Sequence, residues 1–486
     1  MDITTAIAGT HSGVYYFFAV LFYLVLAVSL TCHILLHKED VKAAIGWIAL
    51  VWLTPVLGGI IYVILGINRV RRRARKLRHH NYKKDFEFLK KKVPPEIAAK
   101  LKDEDLTFFK LGMNIHPEVM RPGHIVTPLV NGDQAYPEML RLINGAKREV
   151  LLTSYIFDGD SIGEKFCAAL TAAAQRGVRV RVMLDAVGIG KWRRKVVQML
   201  STANKNLQYA FFLPTKSPVK LPFINLRNHR KILVVDGEAA VFGGMNISAP
   251  NILAENHPDA VQDITFKIEG PVITKIGSLF LQDWFFTTHR RFKPLSYQGK
   301  TITGGAYCRL IPDGPDEDFG KIELLFLAAL NSAAKTINIV TPYFLPNETV
   351  LVAVEMAAMR GVEVNLILPK KSDQKIFEWA PAANYERLLA KGVNIYHSQE
   401  PFDHSKVFVI DGVWSIIGSA NWDERSFKLN FEACIECLSK DFGAQMDKYA
   451  HAKIKESAPQ TLAHYKALPT LKKLRNKLFR LLTPYF

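Results

Sequence analysis

Cysteine is scarce and scattered. Five occur in 486 residues, at Cys32, Cys167, Cys308, Cys434 and Cys437. An odd, irregular set excludes a disulfide framework and fits a reducing compartment. Cys434 and Cys437 form a lone C-x-x-C, and no second Cys pair or His pair completes a zinc site. In an alternating, strand-like stretch residues i and i+3 face opposite ways, so both read as small core residues. The N-terminus lacks the basic stretch of a cleavable signal. Acid is nearly absent between Arg69 and Lys92, where twelve Lys or Arg stand against Asp85 and Glu87. What the chain has in quantity is apolar residues, 49% of the total, which excludes a disordered protein. Its length leaves room for two or three domains, and its formal net charge is +18.

Two apolar stretches open the chain, Gly13 to Leu36 and Ala43 to Ile67, the second without a charge. At about 24 residues and ~1.5 Å rise each, they are long enough for a ~30 Å hydrocarbon core. Pro55, Gly58 and Gly59 in the second suit a kink or close helix approach. The hinge between them carries His37, Lys38, Glu39, Asp40 and Lys42, nearly balanced, whereas Arg69 to Lys76 is strongly basic. The positive-inside bias then puts both termini and everything from residue 69 onward in the cytoplasm of a cell with an inner membrane. Such cations also attract anionic lipid, at ~1 kcal/mol each near the surface. A basic run of this kind can instead bind nucleic acid; its place directly after an apolar stretch favours the membrane.

From Asn131 the chain is written twice. Val150 to Tyr155 is a strand of the buried type, followed by a helical stretch and Arg176-Gly177-Val178 leading a second strand. Ile337 to Tyr343 repeats it, with Arg360-Gly361-Val362 at the matching place. Gly177 and Gly361 stand where a helix end needs a left-handed residue. The alternation predicts an α/β fold of two βαβ-type halves related by a pseudo-twofold axis. The expected organisation is a membrane hairpin over 1–68 and a basic connector over 69–125. A first half follows over 126–300, a second over 301–450, and a basic amphipathic tail over 451–486. In that tail Leu471, Leu474, Leu478 and Leu482 recur at helical spacing among Lys and Arg. Such a helix can lie on an anionic membrane or dock its leucines on the body of the protein.

Each half carries the same chemistry. Asn228-His229-Arg230-Lys231 leads into Val235-Asp236-Gly237, and His404-Ser405-Lys406 leads into Ile410-Asp411-Gly412. An imidazole and an ammonium two residues apart on a strand point the same way. One can attack a phosphorus while the other holds its oxygens. Each copy goes on to a second strand ending in small residues and an Asn, Gly243-Gly244-Met245-Asn246 and Gly418-Ser419-Ala420-Asn421. Asn246 and Asn421 offer amide donors, and Asp263 and Glu432, each in a later strand, suit orientation of an imidazole. Asp236 and Asp411 precede Gly and have the chemistry of a turn. His79, His80, His257 and His397 have no such context and read as surface residues. The converging His, Lys and Asn pairs suit a phosphohistidine mechanism that calls for no metal or cofactor.

These motifs resemble those of the phospholipase D superfamily, and with the two apolar spans the chain is similar to bacterial cardiolipin synthases. Further matches are Asn225 to Lys231, Gly270-Pro271-Val272, Asp283-Trp284, Thr341 to Phe344, Asp423-x-Arg425-Ser426-Phe427 and Leu429 to Glu432. Trp422 departs from the aliphatic residue usual there, His257 to Gln262 lacks an aromatic-basic lead-in, and the connector has no familiar motif. The resemblance implies catalytic roles for His229, Lys231, Asp236, His404, Lys406 and Asp411, supported by Asn246, Asp263, Asn421 and Glu432. It implies transfer of a phosphatidyl group from one phosphatidylglycerol to another through His229, with His404 as acid and base. The near-symmetric sequence leaves those two roles interchangeable. Water in place of the acceptor lipid would give a phospholipase D. Phosphatidylglycerol and anionic lipids are the expected partners, nucleic acid is not, and Phe211, Phe212, Trp422 and Phe427 are candidates to line an apolar mouth.

Overall fold

The computed structural model describes residues 3–38, 41–66, 93, 103–214, 226–292, 295–297, 302–316, 318–481 and 483. The basic run 69–92, with His79 and His80, lies outside them, as do Asn225 and Leu482. The chain divides into two units, Met1–Arg73 and Ala74–Phe486.

The first unit is helical. α1 (Ile3–His37) contains the one described helix long and apolar enough to cross a membrane, over Tyr15–His37. The second apolar stretch, expected as one span over 43–67, is broken. α2 (Val41–Leu53) stops at Thr54, and α3 (Pro55–Ile61) starts anew and runs into a π-helical turn, Tyr62–Gly66. Pro55 has no N–H to continue the ladder, and its ring clashes with the preceding turn. The glycines beyond it allow close approach. A Cβ on Gly59 would lie 2.8 Å from Leu30 Cδ1 of α1. Polar side chains pair within the unit, as an apolar solvent demands. Trp52 Nε1 donates to Thr31 Oγ1 at 3.0 Å, and Tyr62 OH lies 2.9 Å from His33 Nδ1.

The second unit is built on one sheet of fifteen strands. In chain order they are β1 (Arg121–Val130), β2 (Glu149–Ser154), β3 (Arg179–Asp185), β4 (Leu207–Phe212), β5 (Lys231–Val235), β6 (Ala239–Gly243), β7 (Ile264–Glu269) and β8 (Ala306–Asp313). They continue with β9 (Thr336–Val340), β10 (Glu363–Pro369), β11 (Asn394–Ser398), β12 (Val407–Ile410), β13 (Trp414–Gly418), β14 (Glu432–Leu438) and β15 (Ala458–Pro459). Across the sheet the order is β15-β11-β10-β9-β12-β13-β14-β8-β1-β7-β6-β5-β2-β3-β4. From β1 outward the first half reads as the second half reads from β8 outward, with β15 added at the far edge. The pseudo-twofold axis therefore falls between β1 and β8. Their antiparallel pairing is short and shifts register between Arg121 and His124.

Helices repeat in step. α5 (Asn131–Gly145), α6 (Ser161–Gln175), α7 (Arg193–Leu200) and α8 (Ile273–Thr288) serve the first half. α9 (Lys321–Ser332), α10 (Glu348–Met359), α11 (Ile376–Ala390) and α13 (Lys440–Lys455) answer them in the second. Gly177 and Gly361 end α6 and α10 at φ of 93° and 87°, the left-handed backbone their sequence context predicts. One core joins the halves: Phe266, Ile276 and Phe280 share a cluster with Ile417, Ile435 and Phe442. On the opposite face each half has its own cluster.

One boundary differs from the sequence reading. Residues up to 125 were expected to connect, yet α4 (Asp103–Ile115) puts Phe108, Phe109 and Met113 into the second half's core, and β1 is a central strand. Pro122, Gly123 and Pro128 carry turn signals that mask that strand. Pro122 and Gly123 fall at the register shift in the short β1–β8 pairing, where the ladder does not call for their donors.

Candidate active site

Each H-x-K motif sits at the mouth of its strand, β5 or β12, in antiparallel pairing with its neighbour. His229, Lys231, His404 and Lys406 are all buried, with the two imidazoles 8% exposed. Lys231 stands opposite Gly243 in the β5–β6 register, and the Lys406 side chain comes across from the other half to lie against Gly244. A Cβ there would be 3.0 Å from Lys406 Cδ. The small residue thus makes room for the second lysine, and both ammonium groups converge on one place. Lys231 Nζ donates to the His229 carbonyl at 2.7 Å and Lys406 Nζ to the His404 carbonyl at 2.8 Å.

The imidazoles are oriented across the axis. His229 N donates to Phe431 O at 2.9 Å, and its Nδ1 lies 2.9 Å from Oε1 of the next residue, Glu432. His404 N donates to Gln262 O at 2.7 Å, and its Nδ1 lies 2.8 Å from Oδ2 of the next residue, Asp263. Each half therefore supplies the carboxylate for the other half's histidine. A carboxylate accepts from Nδ1–H, which fixes the tautomer and turns Nε2 to the chemistry; at His404 that nitrogen lies 3.0 Å from Lys406 Nζ.

The two carboxylates are not equivalent. Glu432 also accepts from Asn430 Nδ2 at 3.1 Å, Ser426 Oγ at 3.1 Å and Ser419 Oγ at 2.5 Å. Asp263 accepts otherwise from its neighbour Ile264 N at 2.8 Å. Burial opposes ionisation of Glu432, but His229 and Lys231 hold its pKa below the ordinary range. Burial pushes His229 down to about 4, with Lys231 acting in the same direction. Burial and then Lys406 lower His404. Burial brings Lys406 to about 8 and carries Lys231 well below its ordinary value.

The supporting amides differ too. Asn246 Oδ1 accepts from Ile156 N at 3.1 Å. Asn421 leaves Oδ1 buried without a hydrogen bond among the described residues, while its backbone N–H donates to Ser426 Oγ at 3.2 Å. Asp236 and Asp411 are elsewhere. Each stands at the far end of its strand at φ of 54° and 53°. Asp236 accepts from the backbone of Lys147, Arg148 and Glu149, and Asp411 from that of Ala334, Lys335 and Thr336, at 2.7–2.9 Å. Their motif-derived place among the catalytic groups is corrected: they fasten the turn to the strand beside it.

The aromatic candidates also change. Phe212, Trp422 and Phe427 are core residues, with Trp422 packed among Phe326, Phe344 and Phe408. Phe211 carries the Arg193 guanidinium 4.1 Å over its ring. Phe402 lies 6.0 Å from His404, and two tyrosines face the histidines, Tyr155 5.1 Å from His229 and Tyr343 6.2 Å from His404. Each closes the buried-type strand of its half, a shared position that was the available signal. His397 is not a surface residue: it is half-buried against Tyr385, and burial pushes it down to about 4.

A doubled sheet with paired H-x-K strands defines a phospholipase D-like protein. The fold agrees with the crystal structure of a phosphatidylserine synthase from Haemophilus influenzae Rd KW20, which is 12% identical. It matches at a TM-score of 0.59 over 79% of this chain and 100% of that one. The family model described as cardiolipin synthase, PLD-like domain matches residues 139–284 and 326–454, and the phospholipase D-nuclease N-terminal model matches 25–66. A cardiolipin synthase of Geobacillus kaustophilus is 32% identical, covering 86% of this chain and 84% of that protein. One from Geobacillus thermodenitrificans is 30% identical over 92% and 90%. The chain belongs to the cardiolipin synthase family, a family of phosphatidyltransferases.

Proposed function

We propose that this chain makes cardiolipin from two molecules of phosphatidylglycerol through a phosphohistidine intermediate. The observation that carries the mechanism is the crossed pairing of His229 with Glu432 and of His404 with Asp263 around two converging lysines. His229, neutral at physiological pH, attacks phosphorus through Nε2. The bond from phosphorus to the glycerol headgroup oxygen breaks, and that oxygen takes a proton from His404 Nε2. The negative phosphodiester beside His404 favours its protonated form against the burial that lowers it. The second phosphatidylglycerol then gives its hydroxyl proton to His404 and attacks phosphorus, releasing His229. Lys231, Lys406, Asn246 and Asn421 would hold the equatorial oxygens as charge builds on them.

Membrane association follows from α1 and from the family. We further propose that α1 and the broken α2–α3 segment both cross the bilayer. The basic run after them favours a catalytic unit on the cytoplasmic side.

The test is product analysis in proteoliposomes of phosphatidylglycerol. Cardiolipin and glycerol are expected in equal amounts, and His229→Ala should abolish both. Phosphatidate in their place would mean that water is the acceptor. Labelled lipid should accumulate on His404→Ala protein; accumulation on His229→Ala protein instead would exchange the two roles.

A further inference from the structure

The last described helix, α15 (Thr470–Leu481), has two unlike faces. One is docked. Phe479 packs with Leu345, Ile376 and Ala380, its ring 4.8 Å from that of Trp379. Asn476 is buried, and Arg480 donates to Asn384 Oδ1 at 2.9 Å. All but Leu345 of these partners lie on α11. The opposite face holds Leu471, Leu474, Leu478 and Leu481, exposed by 80, 58, 61 and 72%. At 100° per residue these four fill a stripe roughly 80° wide, centred opposite the docked side. The leucines are therefore not what fastens the helix to the body. The helix is held without them, and they stand in the open.

Charge identifies what covers them. No Asp or Glu follows Glu456, while Lys466, Lys472, Lys473, Arg475, Lys477 and Arg480 do. Arg475 and Lys477 border the stripe on either side. A symmetric contact with a second copy would set these like charges against each other, because an isologous interface meets its own image. An anionic bilayer answers both features: leucines at the headgroup boundary and cations among the lipid charges. The same chain carries α1, apolar and long enough to cross such a bilayer.

We propose that α15 is an interfacial helix that lays its leucine stripe on an anionic membrane. It is also close to the chemistry. Phe479 and Phe377 pack on the same small cluster, Phe377 lies 4.0 Å from the Tyr343 ring, and Tyr343 faces His404. The seated helix holds the His404 side of the site at the lipid surface.

The full-length chain tests this without turnover. On a Cys32→Ser background the other cysteines are buried, so Leu478→Cys or Leu474→Cys takes an environment-sensitive fluorophore selectively. In vesicles of equal phosphatidylglycerol and phosphatidylcholine the label should shift to the blue and be quenched by spin-labelled lipid. Both effects should be lost in phosphatidylcholine alone and in the combined Lys472→Gln, Lys477→Gln chain. They should persist with His229→Ala, which separates this proposal from the reaction above. A label that stays in water in both vesicles overturns it. So does shielding that disappears when the protein is diluted to one chain per vesicle, which would identify a second copy, or shielding that is indifferent to lipid charge.

Discussion

Among single residues, Lys406 sets the alkaline limit of the proposed reaction. Burial brings its ammonium to about 8. It carries charge below that pH and loses it above. The value of kcat/KM should therefore fall as pH rises through about 8. Lys406→Arg keeps its charge throughout, so its pH profile should lose that alkaline limb even where the fork shape lowers the maximum. An unchanged limb would assign the titration to another group. Glu432→Gln replaces an acceptor with an amide and frees the His229 tautomer. Phosphoenzyme formation, followed by rapid quench with labelled lipid, should slow by ~10²–10⁴-fold. Both imidazoles, both lysines and both carboxylates were legible as residues, because the motif repeats. Which carboxylate serves which imidazole was not. That depends on the end of one half abutting a loop of the other, which no local pattern encodes. Tyr155 and Tyr343 escaped for a different reason: a tyrosine ending a buried strand is ordinary.

At the scale of elements, turn and strand do separate work. Asp236 draws three backbone N–H groups at the start of β2 onto the β5–β6 turn. Asp236→Ala leaves them without that acceptor and should cost about 2–4 kcal/mol of stability. The kcat of protein that remains folded should stay near wild type. A selective loss of kcat at unchanged stability would return Asp236 to the catalytic set. Gly244 and Gly418, one place apart in the repeat, give a contrast. A Cβ on Gly244 meets the flexible stem of Lys406, whereas one on Gly418 meets Ala433 O at 2.4 Å. Gly244→Ala should lower kcat with little change in melting, and Gly418→Ala should destabilise by about 1–3 kcal/mol. The βαβ repeats were readable because R-G-V and H-x-K recur in step. β1 was not, because its prolines and glycine speak for a turn when read locally, and only the axis makes them tolerable.

For the whole catalytic unit the weak point and the active centre coincide. The sheet is continuous, but its seam between β1 and β8 is short and irregular. The stitching is done at the site: His229 N to Phe431 O, Phe431 N to Arg227 O, His404 N to Gln262 O, and the parallel pair of Phe402–Asp403 with Val261–Gln262. Arg230, fully buried beside His229, completes it. It pairs with Asp283 at 2.6 Å in its own half and donates to Glu432 O and Asp313 O, both at 2.9 Å, in the other. Arg230→Met keeps the bulk but leaves Asp283 buried without its cation and two carbonyls without their donor. The loss should be about 3–5 kcal/mol. Because the halves also share one core, both should weaken together. Trp284 reports the first half and Trp414 and Trp422 the second, so urea titration of single-tryptophan chains can follow each. The two midpoints should move by the same amount in Arg230→Met. If Trp284 unfolds ahead of the others, the halves are separable bodies, and the seam cannot be what holds each imidazole against the opposite carboxylate.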